Sequence, residues 1–457
     1  MKFKENMNPN IFREYDIRGV YPTDIDEDFA YTIGLSYGSF LREKYNTNKC
    51  VVGYDNRISS RELNHALVKG LLASGADIIN IGLCTTPTLY YARYIYNRPG
   101  IMITASHNPK EDNGFKFSFD PCKNAAGEKI KEFKDYTFEG KFLSGEGTFR
   151  AIDLTDEYID FLHKDINMGD RKLKVVITPG NGTAALIDEK VFDVYNFDMK
   201  YIFSNSDGTF PHHHPDPNVE ENLEALKQTV LENNADIGIG FDGDEDRIGV
   251  IAEDGTFIGP DYLMIIIIRD IINKVEDKKF LFDVKCSKSL SDEIIKLGGT
   301  PVIYRTGASY TGGKVVSDDI PFGGEYSGHL YFNDGKFPIG SGFVAALRLL
   351  EILSKTDKSI TELLEGVTEY KSTPEIKIAT DDDKKFDIVN KVKEYCLDKN
   401  YEVIDIDGVR AEFSDGWALV RASNTGPNIT ARFQAKTEKR LNEIHDEFMS
   451  LLENKKS

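Results

Sequence analysis

The sequence has 457 residues, which is too long for a single hydrophobic core because such cores stop growing near roughly 250 to 300 residues, so we expect three or four domains. A hydrophobic fraction of 40% and a charged fraction of 29% are typical of globular proteins and argue against a disordered or fibrous chain. The formal charge of −19 argues against nucleic acid or an anionic membrane as a partner, since both would be repelled.

Short β-branched runs alternate with helical stretches in the first part of the chain, which is the pattern of βαβ units in a mainly parallel sheet. The predicted elements are strands at 49–54, 77–83 and 101–105 and helices at 61–73 and 88–96. An irregular, charged stretch near residues 139–147 interrupts the pattern. We therefore predict a first domain over residues 1–150.

The later blocks continue the pattern and then change it. Residues 151–256 contain a predicted helix at 156–162 and strands at 174–177, 237–241 and 248–251. Residues 257–366 contain predicted helices at 261–272 and 343–353 and strands at 280–284 and 302–304. Residues 367–457 give a helix, a hairpin at 409–413 and 417–421, another strand and a terminal helix. We predict three similar α/β domains with mixed sheets and a C-terminal α+β domain.

Targeting and redox signals are weak in this chain. The first residues are polar and charged, unlike a signal peptide, and the longest apolar stretch, at 263–268, is too short to span a bilayer. The five cysteines are odd in number and form no CxxC pair, so they are expected to be free thiols. These features predict a cytoplasmic protein without a membrane partner. We expect a monomer or a homodimer, and the sequence does not decide between the two.

Three aspartates stand at alternate positions in a loop between two apolar strands. A turning backbone can aim Asp242, Asp244 and Asp246 at one hard cation. Glu253 is twelfth from Asp242, as in a calcium-binding loop, but Arg247 occupies the sixth position, where that loop needs glycine. A solvated acidic turn is the commoner explanation of such a cluster. Carboxylates between apolar strands would repel one another without a cation, so we favour a metal site.

A tight loop with the sequence TASHNP at 104–109 follows a short apolar strand, the place where α/β sheets present functional groups to a ligand. Taken alone, Ser106 is expected to be a turn or cap residue that bonds to its own backbone. No GxSxG elbow surrounds it, which argues against an esterase.

Four loops together carry a more specific pattern. They are TASHNP with the following NGFK, DGDEDR, GEYSGH and RASNT, which lie at 104–116, 242–247, 324–329 and 421–425. Their order and spacing resemble the signature loops of the α-D-phosphohexomutase family, and the resemblance extends from about residue 12 to the terminal helix. It implies four domains around a central cleft and an enzyme that interconverts the 1-phosphate and 6-phosphate of mannose, glucose or both, through hexose 1,6-bisphosphate.

The resemblance also implies roles for single residues. Ser106 would carry the transferred phosphate, and this phosphate and the three loop aspartates would hold one Mg²⁺, a hard cation that prefers oxygen ligands. The further catalytic residues implied are Arg18, His107, Lys116, Arg247 and His329. Lys116 matches the proposed general acid or base. A lysine needs a pKa lowered from about 10.4 for that role at neutral pH, and we expect Arg18 and the metal to lower it.

Substrate-binding residues follow in the same way. Glu325 and Ser327 match a loop that binds the O3 and O4 hydroxyls, so glucose and mannose, which differ only at C2, should both be accepted. Tyr15 and Lys285 match further positions in contact with the substrate. The loop that grips the phosphate not being transferred would combine an arginine fork with hydroxyl donors, from Arg421, Ser423, Asn424 and Thr425.

Two positions depart from the family pattern and keep alternatives open. Ala308 stands where many members carry histidine, so a proton-transfer role of that histidine would pass to Lys116 or His329, or turnover would suffer. Gln434 stands where many members have glutamate, with smaller consequences expected. The alternatives are a phosphoglucosamine mutase, a metal-dependent phosphatase and a non-catalytic sugar-phosphate sensor. Tyr326 disfavours the first, because the glucosamine enzymes usually have glutamine there.

Overall fold

The computed structural model describes residues 2–335, 338–381, 384–423 and 428–453. The chain divides into two units. The first runs to Pro260 and adds Ser327–Phe332 and a segment that ends at Leu363. The second contains Asp261–Tyr326, a short stretch that begins at Asn333, and the chain from Leu364 onward. Within the described ranges, no helix is both long and apolar enough to cross a membrane.

The first unit begins with an α/β sheet. Its elements are β1 (Asp16–Val20), α1 (Glu27–Lys44), β2 (Lys49–Tyr54), α2 (Ser60–Ala73), β3 (Asp77–Leu83), α3 (Thr86–Tyr96), β4 (Gly100–Ile103), β5 (Asp112–Ser118), α4 (Glu128–Glu139) and β6 (Thr148–Ala151). The strand order is β1-β5-β4-β2-β3-β6. Strand β2 is parallel to β3 and β4, whereas β5 is antiparallel to β4 and β1. The strand predicted at 101–105 ends earlier, because residues 104 and 105 already belong to the serine loop.

Helix α1 packs an aromatic cluster against this sheet. Asp26 caps the helix by accepting from the Phe29 backbone N–H at 2.8 Å, and the helix buries Phe40 completely. Four aromatic rings surround Phe40, with centroids 5.0 to 5.8 Å from its own. They belong to Tyr45, Phe119, Phe133 and Tyr136. Phe40 therefore joins α1 to the loops and helix that follow β5.

Truncating this ring should destabilise the protein. We expect Phe40→Ala to lower the free energy of unfolding by about 3–5 kcal/mol, because the change removes a buried ring and leaves a cavity. Urea unfolding followed by fluorescence measures the shift. Phe149→Ala is the matched control, since Phe149 is 52% exposed and should change stability by about 0.5 kcal/mol or less. Equal shifts in the two variants would contradict this account of the core.

A second sheet completes most of the first unit. Its elements are α5 (Thr155–His163), β7 (Lys174–Thr178), α6 (Asp188–Phe192), β8 (Asp198–Tyr201), α7 (Glu224–Asn233), β9 (Ile237–Phe241), β10 (Ile248–Ala252) and β11 (Phe257–Ile258). The order is β11-β10-β9-β7-β8, with β7 parallel to β8 and β9 and with β10 antiparallel to β9. The acidic loop is thus the connection of an antiparallel strand pair.

The third block is shared between the units. Its elements are α8 (Pro260–Ile271), β12 (Lys279–Asp283), α9 (Lys288–Lys296), β13 (Thr300–Tyr304), α10 (Ala308–Ser317), β14 (Phe322–Gly324), β15 (Leu330–Phe332), α11 (Gly342–Ser354) and α12 (Ile360–Leu363). In the second unit, β12 lies parallel to and between β13 and β14. Helix α11 belongs to the first unit, where the Phe343 ring lies 4.9 Å from that of Phe241.

The last block is an antiparallel sheet with two helices. Its elements are β16 (Lys371–Ser372), β17 (Ile376–Ala379), α13 (Lys385–Asp398), β18 (Glu402–Ile404), β19 (Val409–Phe413), β20 (Gly416–Ala422), β21 (Asn428–Ala435) and α14 (Glu438–Glu453). The order is β16-β21-β20-β19-β18, and β17 also pairs with β21. The predicted hairpin and fold class are confirmed. The domain limits at 150, 256 and 366 stay predictions.

Candidate active site

Ser106 lies just beyond the carboxyl end of β4 and is 1% exposed. Its hydroxyl donates to Asp242 Oδ2 at 2.7 Å and lies 3.3 Å from His107 Nδ1. Its backbone is left-handed, with φ of 51°, and its N–H donates to Thr104 Oγ1 at 2.8 Å. A left-handed residue other than glycine costs roughly 1–2 kcal/mol and persists only where the surroundings hold it. The surrounding structure therefore maintains a strained backbone conformation that directs this hydroxyl at the acidic loop.

The aspartates of the acidic loop form a compact, buried group. Asp242, Asp244 and Asp246 each offer one carboxylate oxygen, and these oxygens lie within 4.8 Å of one another. Within the described part of the chain, Asp244 Oδ1 is buried without a hydrogen-bond partner. An unpaired buried carboxylate oxygen is costly, and a hard divalent cation would satisfy it. The donor set fits such a cation.

The pKa values of these aspartates are shifted in different directions by their surroundings. Burial raises the pKa of Asp242 well above its usual range, and the neighbouring Asp246 and Asp244 raise it further. Burial also opposes ionisation of Asp246, but Lys116 and His329 outweigh it and hold the pKa of Asp246 well below its usual range. One carboxylate of the group thus lacks sufficient positive charge from the protein itself.

Lys116 extends from β5, where its residue pairs with Met102 of β4. Its Nζ donates to Asp244 Oδ2 at 2.7 Å and to Asp246 Oδ2 at 2.6 Å. The expectation that Arg18 and a bound metal together lower its pKa stays a prediction, and the protein's own side chains act as follows. Burial and Arg18 do act in that direction, but the two carboxylates dominate and raise the pKa of Lys116 above its ordinary value. The ammonium form of Lys116 is therefore favoured by the protein's own carboxylates, and it binds two of the oxygens that a cation would need.

Both predicted arginines of the first unit lie near the aspartates. Arg18 Nε donates to Asp16 Oδ2 at 2.8 Å, and its Nη1 is buried with no partner among the described residues. Arg247 Nε lies 3.9 Å from Asp242 Oδ2, and its backbone N–H donates to Asp242 Oδ1 at 3.1 Å. Tyr15 interacts electrostatically with both arginines. Arg18 keeps a donor that can bind an anion.

One predicted histidine contacts the aspartates and the other neighbours Ser106. His329 Nε2 lies 3.1 Å from Asp246 Oδ1, and its Nδ1 lies 3.0 Å from Ser327 Oγ. Burial lowers the pKa of His107 well below its usual value, and nearby Arg247 and Arg18 lower it further. His107 is therefore neutral near pH 7 and can accept a proton from a group beside Ser106.

Glu245 was not singled out from the sequence, although it lies inside the acidic loop. Its Oε1 accepts from the Phe343 backbone N–H at 2.6 Å and from Ser341 Oγ at 2.9 Å, and its backbone carbonyl accepts from the Gly342 N–H at 2.9 Å. Burial raises its pKa well above the usual range. Glu245 thus caps the first turn of α11 and ties the acidic loop to that helix.

The second unit holds the remaining predicted residues. Glu325 is buried after β14, where its Oε1 accepts from the Gly307 N–H at 2.5 Å and from Thr311 Oγ1 at 3.1 Å. Lys285 Nζ lies 3.3 Å from a carboxylate oxygen of Glu375. Glu325 is therefore fixed by its own unit before any sugar is bound.

Arg421 forms a two-point ion pair that the sequence did not reveal. Its Nε and Nη2 both lie 3.2 Å from Asp407, on Oδ2 and Oδ1, and Asp407 Oδ2 also accepts from the Thr306 N–H at 3.0 Å. Ser423 is buried at the end of β20, and its backbone N–H donates to the Asn428 carbonyl at 2.9 Å. The two other predicted residues of this loop lie outside the described residues: Asn424 and Thr425.

The two residues that depart from the family pattern, Ala308 and Gln434, lie in different structural environments. Ala308 is the first residue of α10. Gln434 is buried, accepts from Trp417 Nε1 at 2.9 Å and donates its amide to Ser287 Oγ at 2.9 Å. A carboxylate could not make that donation, so the amide suits this environment.

Comparison with known proteins agrees with this arrangement. Successive stretches of the chain match the phosphoglucomutase/phosphomannomutase α/β/α domains I, II and III and the C-terminal domain, over residues 9–143, 156–255, 259–370 and 375–451. A phosphomannomutase/phosphoglucomutase of Pseudomonas syringae pv. tomato is 38% identical over 96% of this chain and 94% of that protein. A phosphoglucomutase of Neisseria meningitidis is 34% identical over 98% of each.

A solved structure gives the same result. The crystal structure of a phosphoglucomutase/phosphomannomutase family protein from Burkholderia thailandensis is 33% identical to this chain, covers 98% of both chains and superposes with a TM-score of 0.91. Sequence and fold thus agree over nearly the whole length. The chain therefore belongs to the phosphoglucomutase/phosphomannomutase family of α-D-phosphohexomutases.

Proposed function

We propose that this protein is a phosphohexomutase that interconverts the 1-phosphate and 6-phosphate of mannose, glucose or both. One observation carries the proposal: the Ser106 hydroxyl donates at 2.7 Å to Asp242 within a buried group of three aspartates. Phosphoryl transfer needs an acceptor oxygen, a charge-neutralising site and accurate positioning. The names of the Pseudomonas and Neisseria relatives support the two sugars.

Phosphate exchange at Ser106 would proceed in two steps. In the first, the bond from Ser106 Oγ to phosphorus breaks while a bond forms from a hydroxyl of the hexose phosphate to phosphorus, which gives hexose 1,6-bisphosphate. In the second, Ser106 Oγ takes back the phosphoryl group from the other end of the sugar. The bisphosphate must therefore be bound in two orientations, each presenting a different phosphate to the serine.

Different residues of the first unit would bind the metal, bind the phosphate and transfer protons. Asp242, Asp244 and Asp246, with an oxygen of the serine phosphate, would hold one Mg²⁺, which withdraws charge from the transferred group. Arg247 and the unpaired Nη1 of Arg18 would bind phosphate oxygens. Protons would be held and moved by the remaining catalytic residues, Lys116, His107 and His329.

The residues that recognise the substrate follow from the family resemblance. We propose that Glu325 and Ser327 bind the O3 and O4 hydroxyls of the sugar. The phosphate that is not transferred, and the rest of the substrate, would be bound by Tyr15, Lys285, Arg421, Ser423, Asn424 and Thr425. We also propose a cytoplasmic enzyme, monomeric or homodimeric, whose partner is a small hexose phosphate rather than nucleic acid or a membrane.

A product assay tests this function. The protein is incubated with Mg²⁺, a trace of glucose 1,6-bisphosphate and, separately, mannose 1-phosphate, glucose 1-phosphate and glucosamine 1-phosphate. We expect 6-phosphates of the two neutral hexoses without release of inorganic phosphate. A clear preference for glucosamine 1-phosphate indicates a phosphoglucosamine mutase, phosphate release indicates a phosphatase, and Mg²⁺-dependent binding without conversion indicates a sensor; each of these results contradicts the proposal.

Loss of the Lys116 ammonium should slow this reaction. We expect Lys116→Gln to lower kcat by about 100-fold, because a positioned proton donor contributes roughly 10²–10⁴-fold to a transfer. Steady-state rates with glucose 1-phosphate measure the effect. Lys49→Gln is the control, since Lys49 is an exposed lysine at the opposite end of the same sheet and should keep the parent rate. A Lys116→Gln enzyme with the parent kcat would remove Lys116 from the mechanism.

A further inference from the structure

Arg57 is an arginine whose side chain is fully buried in the turn between β2 and α2. Its Nε forms an ion pair with Asp55 Oδ2 at 3.2 Å, and the Asp55 carboxylate also accepts from the Arg57 backbone N–H at 3.0 Å. The Phe210 ring lies over the guanidinium, with its centroid 5.2 Å from Cζ. Nothing in the proposed chemistry uses this residue, yet burying an arginine is expensive unless its donors are satisfied.

The Nη1 and Nη2 atoms of Arg57 donate hydrogen bonds to the backbone of the serine loop. Its Nη2 donates to the carbonyl oxygens of Ser106 and Asn108 at 2.8 and 2.7 Å. Its Nη1 donates to the carbonyl oxygens of Pro109 and Asp112 at 2.6 and 3.0 Å. One planar, rigid group thus binds four carbonyls spread over residues 106–112, which is an arrangement that the fixed fork of arginine allows.

The Ser106 carbonyl is also the point where the acidic loop touches the serine loop. A methyl group placed on Gly243 would lie 2.5 Å from this oxygen, so the two backbones are already in close contact there. The Arg57 bond at 2.8 Å approaches the same oxygen. The position of this carbonyl therefore sets the distance between the Ser106 side chain and Asp242, while Ser106 keeps its left-handed backbone.

We infer that Arg57 is a positioning residue for phosphoryl transfer, which holds loop 106–112 so that Ser106 Oγ faces the aspartates and which does not itself contact the substrate. The inference rests on the proposed function. The positioning of the loop then depends on the planar shape of the guanidinium group as well as on its charge. A lysine has one nitrogen and three protons, so it cannot bind four carbonyls in this geometry.

The expected signature is a loss in kcat with little change in KM. Misplacing a reacting group by about 1 Å costs roughly 100-fold in rate, so we expect Arg57→Lys to lower kcat by about 100-fold. KM for glucose 1-phosphate should change by less than about threefold, because substrate affinity is assigned to other residues. Arg57→Ala should lose more activity, and added guanidinium ion at low concentration should restore part of its kcat.

The control is Arg98→Lys. Arg98 is a half-buried arginine at the opposite end of β4 that donates to the Asp77 carbonyl at 3.2 Å, so it tests the loss of a similar bond away from the serine. Rates are expressed per folded molecule, and the folded fraction of each variant is counted by circular dichroism. A loss in kcat that disappears after this correction overturns the inference.

The remaining outcomes are also decisive. Folded Arg57→Lys with kcat within threefold of the parent, or with KM raised as much as kcat falls, overturns the positioning role. If both Arg57 variants fail to fold, Phe210→Leu takes their place, and an unchanged kcat in that variant overturns it. An inactive parent chain refutes the proposed function and this inference with it, whereas an active parent with normal Arg57 variants refutes this inference alone.

Discussion

Replacing Ser106 by alanine is expected to abolish mutase activity, with a loss in kcat of about 10⁵-fold or more, the scale seen when a covalent nucleophile is removed. The hydroxyl that donates to Asp242 is the atom that would accept and return the phosphoryl group. Intact-protein mass spectrometry checks the same atom independently of turnover. The parent should carry one added phosphoryl group in part of the population, and Ser106→Ala should carry none.

Ser118→Ala is the matched control for this experiment. Ser118 is a fully buried serine on β5 that donates to the Asp120 carbonyl, so its replacement also deletes a buried serine hydroxyl, but away from the acidic loop. It should keep most of its activity and its phosphoryl group. A Ser106→Ala protein that retains the added mass would place the phosphate on another residue and would contradict the central assignment.

Replacing Asp242 by asparagine should lower the activity of the enzyme. It should also raise the stability that the protein has when metal is removed. We expect kcat to fall by about 10³-fold, because a metal ion supplies several kcal/mol of charge stabilisation and about 4 kcal/mol corresponds to that factor. In EDTA, however, Tm should rise. The pKa of Asp242 is raised in the fold by burial, so the unfolded chain ionises there more readily than the folded chain, and asparagine removes this advantage of the unfolded state.

The pH dependence gives the sign of this second effect. Below about pH 4 the carboxyl group is protonated in both the folded and unfolded states, so the variant and the parent should have similar Tm values. As pH rises above that value, only the unfolded parent gains the charge freely, and the stabilisation of Asp242→Asn should grow. Asp254→Asn, at an exposed turn, is the control. A Tm in EDTA that falls at pH 8 would contradict the account.

Local sequence pattern was enough for most strands and for the two central loops. The serine loop and the acidic loop each follow a short apolar strand, β4 and β9, and such strands are readable from a few residues. Helix α1 was missed for a physical reason. It is covered on several sides and buries Thr32, Ser36 and Gly38 among its apolar residues, so its apolar stripe is interrupted.

The finer parts of the site depend on contacts between residues that are distant in the chain. The sequence gives no sign that Arg57 binds the Ser106 carbonyl or that Asp407 pairs with Arg421. The raised pKa that the protein's own side chains give Lys116 has the same origin. It depends on two carboxylates within 2.7 Å, those of Asp244 and Asp246, both of which the resemblance assigns to metal binding. Motifs identified the residues, but not which partner dominates each of them.

The cap that Glu245 forms on α11 has an evolutionary consequence. Ser341 and the Phe343 amide hold this carboxyl group, so a helix remote in sequence is bonded to the loop that carries the three aspartates. Substitutions at positions 245 and 341 should therefore be inherited in pairs across relatives, since either change alone leaves a polar group without its partner.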